Sequence, residues 1–164
     1  MTRSNARKLS HFNARQQAVM VNVGGKPVSL RTAEAQGRVD ISPALAKAIL
    51  RHQLAKGDLL AVARLAGIMA AKRTAEFIPL CHPIPLESID VKLVLRKNAV
   101  HIRATVGASW KTGVEMEALH AVAAAALTVY DMGKAVDRDM VIRDICLTAK
   151  TGGTRGDYRR ANKP

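Results

Sequence analysis

Two neighbouring segments of alternating apolar residues constrain the fold more than any other feature of this sequence. Residues 89–95 and 100–106 each place an aliphatic side chain at every second position. Side chains alternate between the two faces of a strand, so each segment is typical of a strand with one apolar face. A short connection centred on Lys97 and Asn98 separates the segments, which predicts a β-hairpin. An apolar sheet face must be covered, and helices elsewhere in the chain have to cover it.

Three helices are predicted, and two of them have clear start signals. Ser42 followed by Pro43 is typical of a helix beginning, because the Ser oxygen can accept an unpaired backbone N–H and Pro suits the first turn. Asp58 is predicted to cap a second helix that continues to about Arg73. An Ala-rich segment at about 113–132 predicts the longest helix. The apolar face expected for the second helix comprises Leu59, Val62, Leu65, Ala66 and Met69.

Further extended segments complete the predicted order of elements. We expect a short strand at 19–23, closed by a turn at 24–27, a long extended segment at 28–41 and a final strand at about 141–147. The order of strand, helices, strand, strand, helix and strand is a split β-α-β pattern. It predicts an α+β, ferredoxin-like sandwich in which helices pack on one face of an antiparallel sheet. This fold hosts many functions, so it identifies no chemistry.

The charge of the chain favours an anionic partner. Lys and Arg number 26 against 13 Asp and Glu, which gives a net charge of +13 over 164 residues. Nucleic acid, a membrane surface and a phosphorylated small molecule are all compatible with this surplus. Part of the charge lies at the two ends, where we expect a mobile basic segment at 1–18 and a Gly-rich basic tail at 151–164. Residues 19–150 are predicted to form a single α+β domain.

Cysteine usage and hydropathy narrow the class of protein. Cys81 and Cys146 stand far apart and belong to no C-x-x-C unit, so neither a disulfide framework nor a zinc site is expected. No apolar run is long enough to span a membrane, and the basic start lacks the apolar segment of a signal peptide. The sequence therefore predicts a cytoplasmic protein without a metal site.

Three polar clusters are candidates for chemistry, and the first is Cys81-His82-Pro83. Prolines at 79, 83 and 85 would hold the imidazole of His82 rigid beside a thiol. Such a histidine can bind a ligand or relay a proton. A histidine satisfied by the backbone of its own loop explains the same residues, and both interpretations stay open.

The second cluster opens the longest helix, at 111–117. Acidic residues near a helix N-terminus are favourable, which accounts for one of Glu115 and Glu117. The two project about 200° apart, so different roles are expected for them. Asp131 lies near the C-terminus of the same helix, where a carboxylate is unfavourable, and this invites a functional explanation. Small residues are expected to form a stripe between Glu117 and Asp131, through Ala121, Ala124 and Thr128.

The third cluster consists of lysines near chain breaks. Lys56 precedes a glycine, Lys134 follows Asp131 by one turn, and Lys150 precedes a pair of glycines. Each one can be an ordinary surface lysine. Beside a glycine, however, an ammonium group can approach a phosphate without steric hindrance. Neither consensus of the phosphate-binding loops is present, so a nucleotide-like substrate would be held differently.

Five long motifs resemble the cyclic pyranopterin monophosphate synthase family, in the same order and over nearly the whole chain after residue 10. They are KGDLLAVARLAGIMAAKRT at 56–74, IPLCHP at 78–83, KTGVEMEAL at 111–119, AALTVYDM at 125–132 and KTGG at 150–153, with GDY at 156–158. The chain departs from the family pattern at Asn22, Gly133 and 154–155, where Asp, Cys and Lys-Ser are usual.

The resemblance implies a ferredoxin-like lyase of molybdenum cofactor biosynthesis. Its reaction converts (8S)-3′,8-cyclo-7,8-dihydroguanosine 5′-triphosphate into cyclic pyranopterin monophosphate and diphosphate. It implies that the domain at 19–150 is catalytic and that the chain forms a hexamer, a trimer of dimers. No cofactor is required, although Mg²⁺ can accompany the triphosphate, and no metal ligand is implied.

The resemblance also assigns roles by position. The catalytic residues are Asp131, Lys56 and Lys134. The substrate-binding residues are Leu80, Cys81, His82, Met116, Glu117, Glu115, Arg31 and Lys150. Proton transfer needs a carboxylate with partners of tuned pKa, and cations stabilise a departing diphosphate, so these residue types fit the reaction. Which group acts as acid and which as base stays open.

The alternative function is a basic nucleic-acid-binding α+β protein. Aromatic residues make up only 3% of the chain and are scattered along it. No predicted strand carries the aromatic pair of a base-stacking sheet, which disfavours this alternative.

The active site is predicted to be shared between two subunits. Glu117 and Asp131 are about 21 Å apart along their helix, too far for one small substrate lying on it. Two such helices packed antiparallel across a dimer axis would bring Glu117 of one chain near Asp131 of the other. In the alternative, Glu117 is a buried or capping residue and Asp131 alone is catalytic.

Overall fold

The computed structural model of the chain describes residues 15–154 and 156–161. The strands are β1 (Ser29–Asp40), β2 (Ser88–Arg96), β3 (Ala99–Trp110), β4 (Val141–Thr151) and β5 (Tyr158–Arg159). The helices are α1 (Pro43–Leu50), α2 (Leu59–Lys72), α3 (Thr74–Phe77) and α4 (Glu115–Gly133).

The strands form an antiparallel sheet in the order β2-β3-β1-β4-β5. The predicted hairpin is present, since Arg96 pairs with Ala99 across a two-residue turn in which Lys97 adopts φ +51°. Helix α4 packs over β1, β3 and β4, α2 packs over β2, and the two helices contact each other on one face of the sheet. The predicted α+β, ferredoxin-like sandwich is therefore confirmed.

Capping residues determine where α1 and α2 begin. The Oγ of Ser42 accepts a hydrogen bond from the N–H of Leu45 at 3.3 Å. The Oδ1 of Asp58 accepts hydrogen bonds from the N–H groups of Leu60 and Ala61 at 3.0 and 3.1 Å. Each cap satisfies backbone donors that have no partner within the helix, and its loss costs about 1 kcal/mol. Both predicted helix starts are confirmed.

Small residues let α2 approach α4 closely. The buried residues of α2 are Leu59, Ala63, Gly67 and Ala71. A Cβ atom at Gly67 would lie 2.9 Å from the backbone carbonyl oxygen of Ala121 on α4, so a larger residue there would push the helices apart.

The apolar face predicted for α2 is confirmed at the buried Leu59 and is wrong at three other positions. Val62, Leu65 and Met69 are 44%, 57% and 46% exposed. After Leu59, the buried positions of α2 carry the small residues Ala63, Gly67 and Ala71, and the larger side chains of Val62, Leu65 and Met69 lie on the side that faces away from the core. We call the exposed side chains of Val62, Leu65, Met69, Phe77 and Leu127 the outer helix face.

The strand predicted at 19–23 is also wrong. The structure shows no strand at these residues and a turn at 24–26. The backbone carbonyl of Val21 accepts a hydrogen bond from the side chain of His82 instead of pairing with a neighbouring strand. The extended segment predicted at 28–41 is confirmed as β1.

The C-terminal part of the sheet is longer than predicted. β4 continues to Thr151, and Lys150 pairs with Tyr158 of β5. The division between a domain at 19–150 and a tail at 151–164 stays a prediction. The mobile segment predicted at 1–18 falls mostly on residues 1–14, which lie outside the described part of the chain.

Candidate active site

A cleft of about 420 Å³ opens beside the N-terminal end of α4. The loop after α3, the first turn of α4, β1 and the end of β4 surround it. The residues predicted to bind substrate all lie on this cleft: Leu80, Cys81, His82, Met116, Glu117, Glu115, Arg31 and Lys150. Sequence motifs that are far apart along the chain therefore converge on one concave surface.

The loop that carries Cys81 and His82 is held by hydrogen bonds. The backbone N–H of Cys81 donates to the carbonyl of Ile78 at 3.0 Å. The Nε2–H of His82 donates to the carbonyl of Val21 at 2.8 Å, which places a proton on Nε2. Burial, and then the carboxylate of Glu117, raise the pKa of the Cys81 thiol. The thiol is therefore protonated at neutral pH and is not an activated nucleophile.

Arg31 occupies space that two glycines leave open. The residue is 7% exposed, and its Nε donates to the carbonyl of Trp110 at 3.3 Å. A Cβ atom on Gly152 would collide with the carbonyl of Leu30, and one on Gly153 with the guanidinium of Arg31. Both glycines also have positive φ angles, +82° and +96°, which other residues rarely adopt. The pair Gly152-Gly153 thus leaves room for the guanidinium of Arg31 on the cleft.

Two carboxylates of α4 reach the cleft in different surroundings. Glu117 is 3% exposed, and burial together with the nearby Glu115 carboxylate raises the pKa of Glu117 to about 7. Glu115 is half-buried, and its Oε1 lies 3.7 Å from the Nζ of Lys150. A carboxyl group with a pKa near neutrality can both accept and donate a proton, so Glu117 is the better candidate for proton transfer.

At the opposite end of α4, Asp131 binds a lysine with each of its oxygens. The Nζ of Lys134 donates to Oδ1 at 2.6 Å, and the Nζ of Lys56 donates to Oδ2 at 2.7 Å. These hydrogen bonds, Lys134 first, lower the pKa of Asp131 to about 2. The side chains of Asp131, Lys134 and Lys56 are 55%, 52% and 51% exposed, so a ligand can reach them from solvent. We call these residues the Asp131 cluster.

The Asp131 cluster and the cleft do not meet within one chain. None of its residues lines the cleft. Glu117 and Asp131 are about 21 Å apart along α4, because each helical residue adds about 1.5 Å. The predicted substrate-binding residues thus lie together at the cleft. The predicted catalytic residues lie together at a second place, in the Asp131 cluster.

The stripe of small residues predicted between these places is approached by another helix of the same chain, since α2 packs against it at Ala121. Ala121 is fully buried, and the hydroxyl of Thr128 donates to the carbonyl of Ala124 within the helix. The accessible line along α4 instead includes Met116 and Leu127, which are 37% and 63% exposed. Another molecule can approach α4 along this line, whereas Ala121 of the predicted stripe is covered.

Two further cations of the cleft, Lys26 and Lys111, received no role in the sequence analysis. The Nζ of Lys111 donates to the carbonyl of Gly24 at 2.8 Å, which ties the start of the α4 motif to the turn that carries Lys26. Both lysines stand within two residues of a glycine. A nearby glycine is also the feature that marks Lys56 and Lys150 in the sequence, and it identifies Lys26 and Lys111 as well.

The departures at Asn22 and Gly133 have visible structural consequences. The Oδ1 of Asn22 accepts a hydrogen bond from the N–H of Gly24 at 2.8 Å, a bond that an Asp carboxylate can also accept. Gly133 is buried, and a Cβ atom there would lie 2.7 Å from Cδ2 of Leu45 and 3.1 Å from Cε of Met140. The end of α4 therefore packs more closely here than a side chain at 133 would allow.

Residues 15–154 and 156–161 contain neither a metal-binding cluster nor a membrane-spanning helix. No group of three or more His, Cys, Asp and Glu side chains in this part of the chain could hold a metal ion. No helix within it combines the length and the apolarity that crossing a membrane requires.

Known proteins resemble this chain along nearly its whole length. A sequence model of the MoaC family matches residues 20–153. A protein of Parvibaculum lavamentivorans is 55% identical over 156 residues, 94% of this chain and 98% of that protein. A protein of Thermomicrobium roseum is 54% identical over 155 residues, 93% of each chain. A protein of Herpetosiphon aurantiacus is 49% identical over 158 residues, 95% of this chain and 96% of that protein. All three are named cyclic pyranopterin monophosphate synthase. The residues matched by the family model include the Asp131 cluster and every cleft residue except Thr154, and the chain belongs to the MoaC family.

Proposed function

We propose that this chain is a cyclic pyranopterin monophosphate synthase, a phosphorus–oxygen lyase of molybdenum cofactor biosynthesis. It converts (8S)-3′,8-cyclo-7,8-dihydroguanosine 5′-triphosphate into cyclic pyranopterin monophosphate and diphosphate. The observation that carries this function is the cleft at the start of α4, which combines several cations with a carboxyl group whose pKa is near neutrality. Relatives that bear this enzyme name match the chain over nearly their whole length.

The charges on the cleft suit a triphosphate. Its cations are Lys26, Arg31, Lys111 and Lys150, and its carboxylates are Glu115 and Glu117. The cleft stays positively charged even when both carboxylates are ionised. Negative charge develops on the diphosphate as it leaves, and preorganised cations stabilise that charge without rearranging. Arg31 is well suited to this because its planar guanidinium can bind two phosphate oxygens at once.

Glu117 is suited to move protons during the rearrangement. Opening the purine ring and closing the pyran ring both require protons to be taken up and released. With a pKa of about 7, Glu117 is present in both protonation states at neutral pH. Its burial shields these transfers from bulk water, which strengthens electrostatic interactions with the substrate.

The Asp131 cluster contributes the opposite kind of carboxylate. With a pKa of about 2, Asp131 is ionised at every physiological pH. The transferable protons of the cluster are therefore those of Lys56 and Lys134, which Asp131 holds at 2.7 and 2.6 Å. In this assignment the lysines are the proton donors and Asp131 orients them.

We further propose that a second copy of the chain completes the site. Leu65, Phe77 and Leu127 of the outer helix face are 57%, 65% and 63% exposed, and burial of large apolar side chains such as these favours association. Antiparallel packing of two α4 helices would cover this face and bring Asp131 of the partner subunit towards the cleft. The family resemblance extends this dimer to a hexamer, a trimer of dimers.

The remaining partners follow from the same chemistry. The reaction needs no resident cofactor, and Mg²⁺ arrives, where it is present, with the triphosphate. Nucleic acid takes no part in this assignment, since Trp110 is the single Phe, Tyr or Trp residue of β1 to β4 and packs against the core. The assignment also involves no membrane. Cys81 and Cys146 are free thiols, which is in keeping with a cytoplasmic location.

Incubation with the cyclised substrate tests the function. Purified protein should release diphosphate in proportion to the cyclic pyranopterin monophosphate that forms. Protein carrying Asp131→Ala serves as the matched control, and it should fold but release neither product. Diphosphate without the pterin product would identify a simple hydrolase and contradict the assignment, as would the absence of both products.

A further inference from the structure

A polar contact at His120 joins α3 to α4 one turn after Glu117. The Nδ1 of His120 lies 3.2 Å from the Oγ1 of Thr74, the first residue of α3. The ring of Phe77, at the end of α3, packs on the imidazole with centroids 5.1 Å apart and planes tilted by 58°. His120 therefore contacts both ends of the short helix that leads into the cleft loop.

The neighbours of Thr74 favour one direction for this hydrogen bond. The Thr74 hydroxyl has one proton, and two backbone carbonyl oxygens lie within its reach, that of Ala71 at 3.1 Å and that of Ala70 at 3.3 Å. Carbonyl oxygens only accept, so the hydroxyl oxygen is left to accept from His120. We therefore assign the proton of His120 to Nδ1, so that the ring is the donor. Thr74 is 2% exposed, so water does not replace this donor freely.

Backbone hydrogen bonds connect Thr74 to the cleft. The N–H of Ile78 donates to the carbonyl of Thr74 at 2.9 Å, and the N–H of Cys81 donates to the carbonyl of Ile78 at 3.0 Å. The loop that forms one wall of the cleft is therefore connected by hydrogen bonds to Thr74, which contacts His120. The facing wall carries Glu117, three residues before His120 on the same helix.

We propose that His120 is a positioning residue for substrate binding. Its Nδ1–H fixes Thr74, and through Thr74 it sets the position of Cys81 and His82 relative to Glu117. His120 does not line the cleft, so it acts through the loop and not on the substrate itself. The effect on substrate binding rests on the proposed function, whereas the effect on the loop does not.

The reactivity of Cys81 measures the loop without any substrate. Cys146→Ser leaves Cys81 as the single thiol, and its labelling by a thiol-specific disulfide reagent reports how often the half-buried loop opens. In that background His120→Ala should label about five- to tenfold faster, as expected for the loss of one buried hydrogen bond. His120→Asn should stay within about twofold of the parent, because the amide can donate from nearly the same position as Nδ1.

A matched control and an activity measurement complete the experiment. His101→Ala removes an exposed imidazole from the sheet face opposite the helices, and it should change neither quantity. His120→Ala should raise KM for the cyclised triphosphate by about five- to tenfold with kcat within about twofold, and His120→Asn should restore KM. If His120→Ala fails to fold, Thr74→Val removes the same bond from the other side and should accelerate labelling equally.

The outcomes separate the two proposals. Labelling at the parent rate in folded His120→Ala and Thr74→Val would overturn the positioning role. Failure of His120→Asn to restore slow labelling would do the same, because the donor would then not be what matters. If the parent itself turns over no substrate, the proposed function fails while the labelling rates still decide the role of His120.

Discussion

Glu117 and Asp131 lie on the same helix and carry the same functional group, yet their surroundings push their pKa values in opposite directions. Burial raises the pKa of Glu117 to about 7, and the hydrogen bonds from Lys134 and Lys56 lower the pKa of Asp131 to about 2. Two carboxyl groups separated in this way can do different chemistry at a single pH. The comparison shows that local surroundings, and not residue type, set the chemistry at each end of α4.

The helix dipole predicts the reverse order for these two groups. It stabilises a carboxylate at the N-terminal end, where Glu117 lies, and destabilises one at the C-terminal end, where Asp131 lies. The dipole contributes about 0.3–1 kcal/mol, whereas a shift of one pKa unit corresponds to about 1.4 kcal/mol. The pKa of Glu117 rises from 4.5 to about 7, so burial outweighs the dipole. At Asp131 the helix dipole would raise the pKa, but two ammonium groups in direct contact with the carboxylate lower it by more.

The largest expected effect follows the loss of the Asp131 carboxylate. Asp131→Ala should lower turnover by about 10³-fold, because it removes the group that orients both lysines. The melting temperature should change little, since the ion pairs of this cluster are exposed. Product formation and thermal unfolding measured on the same sample check this. Activity close to that of the parent would remove Asp131 from the mechanism.

Removal of either lysine should have the next largest effect. Lys56→Ala and Lys134→Ala should each lower kcat/KM by about 10²-fold, because each takes away one proton donor of the Asp131 cluster. Lys92 provides the matched control, as it forms a 2.9 Å ion pair with Asp90 on the exposed sheet face. Lys92→Ala should leave kcat/KM unchanged. Equal, small losses in all three variants would mean that lysines contribute only general positive potential.

A smaller effect is expected on stability as a function of pH. The pKa of Glu117 is about 7 in the folded chain and 4.5 in its unperturbed state, so the folded state holds the proton more tightly. Between these two values the folded protein binds more protons than the unfolded one. The free energy of unfolding should therefore fall as pH rises through this window, by no more than about 3.5 kcal/mol.

The variant Glu117→Gln sharpens that measurement. Its neutral amide has no titrating proton, so the decrease attributed to Glu117 should disappear, and the variant should be the more stable protein above about pH 7. Urea unfolding at a series of pH values compares the two proteins. Identical pH dependence in parent and variant would show that Glu117 titrates near its ordinary value.

Local sequence signals predicted most of the fold. The alternation in β2 and β3, the caps at Ser42 and Asp58 and the long Ala-rich segment all act over a few residues, and each produced the expected element. The failures depend on distant partners. Residues 19–23 have a strand-like composition, but the carbonyl of Val21 bonds to His82, far along the chain.

The same distinction applies to the site. The family motifs predicted which residues line the cleft, because the substrate-binding positions can be located by their place within each motif. They could not predict that α2 would bury Ala63 and Gly67 and expose Leu65, since this depends on how closely α4 approaches. The raised pKa of Glu117 also needed the fold, because burial is its main cause.

Mixing two inactive proteins tests most directly whether the two ends of α4 cooperate across a subunit interface. Glu117→Ala and Asp131→Ala should each be inactive alone. If each site combines Glu117 of one chain with Asp131 of its partner, a mixed dimer has one site with both lesions and one intact site. Random subunit exchange at equal amounts should then restore about a quarter of the parent's active sites. No recovery, with exchange verified by native mass spectrometry, would contradict the shared site and leave both carboxylates working within a single chain.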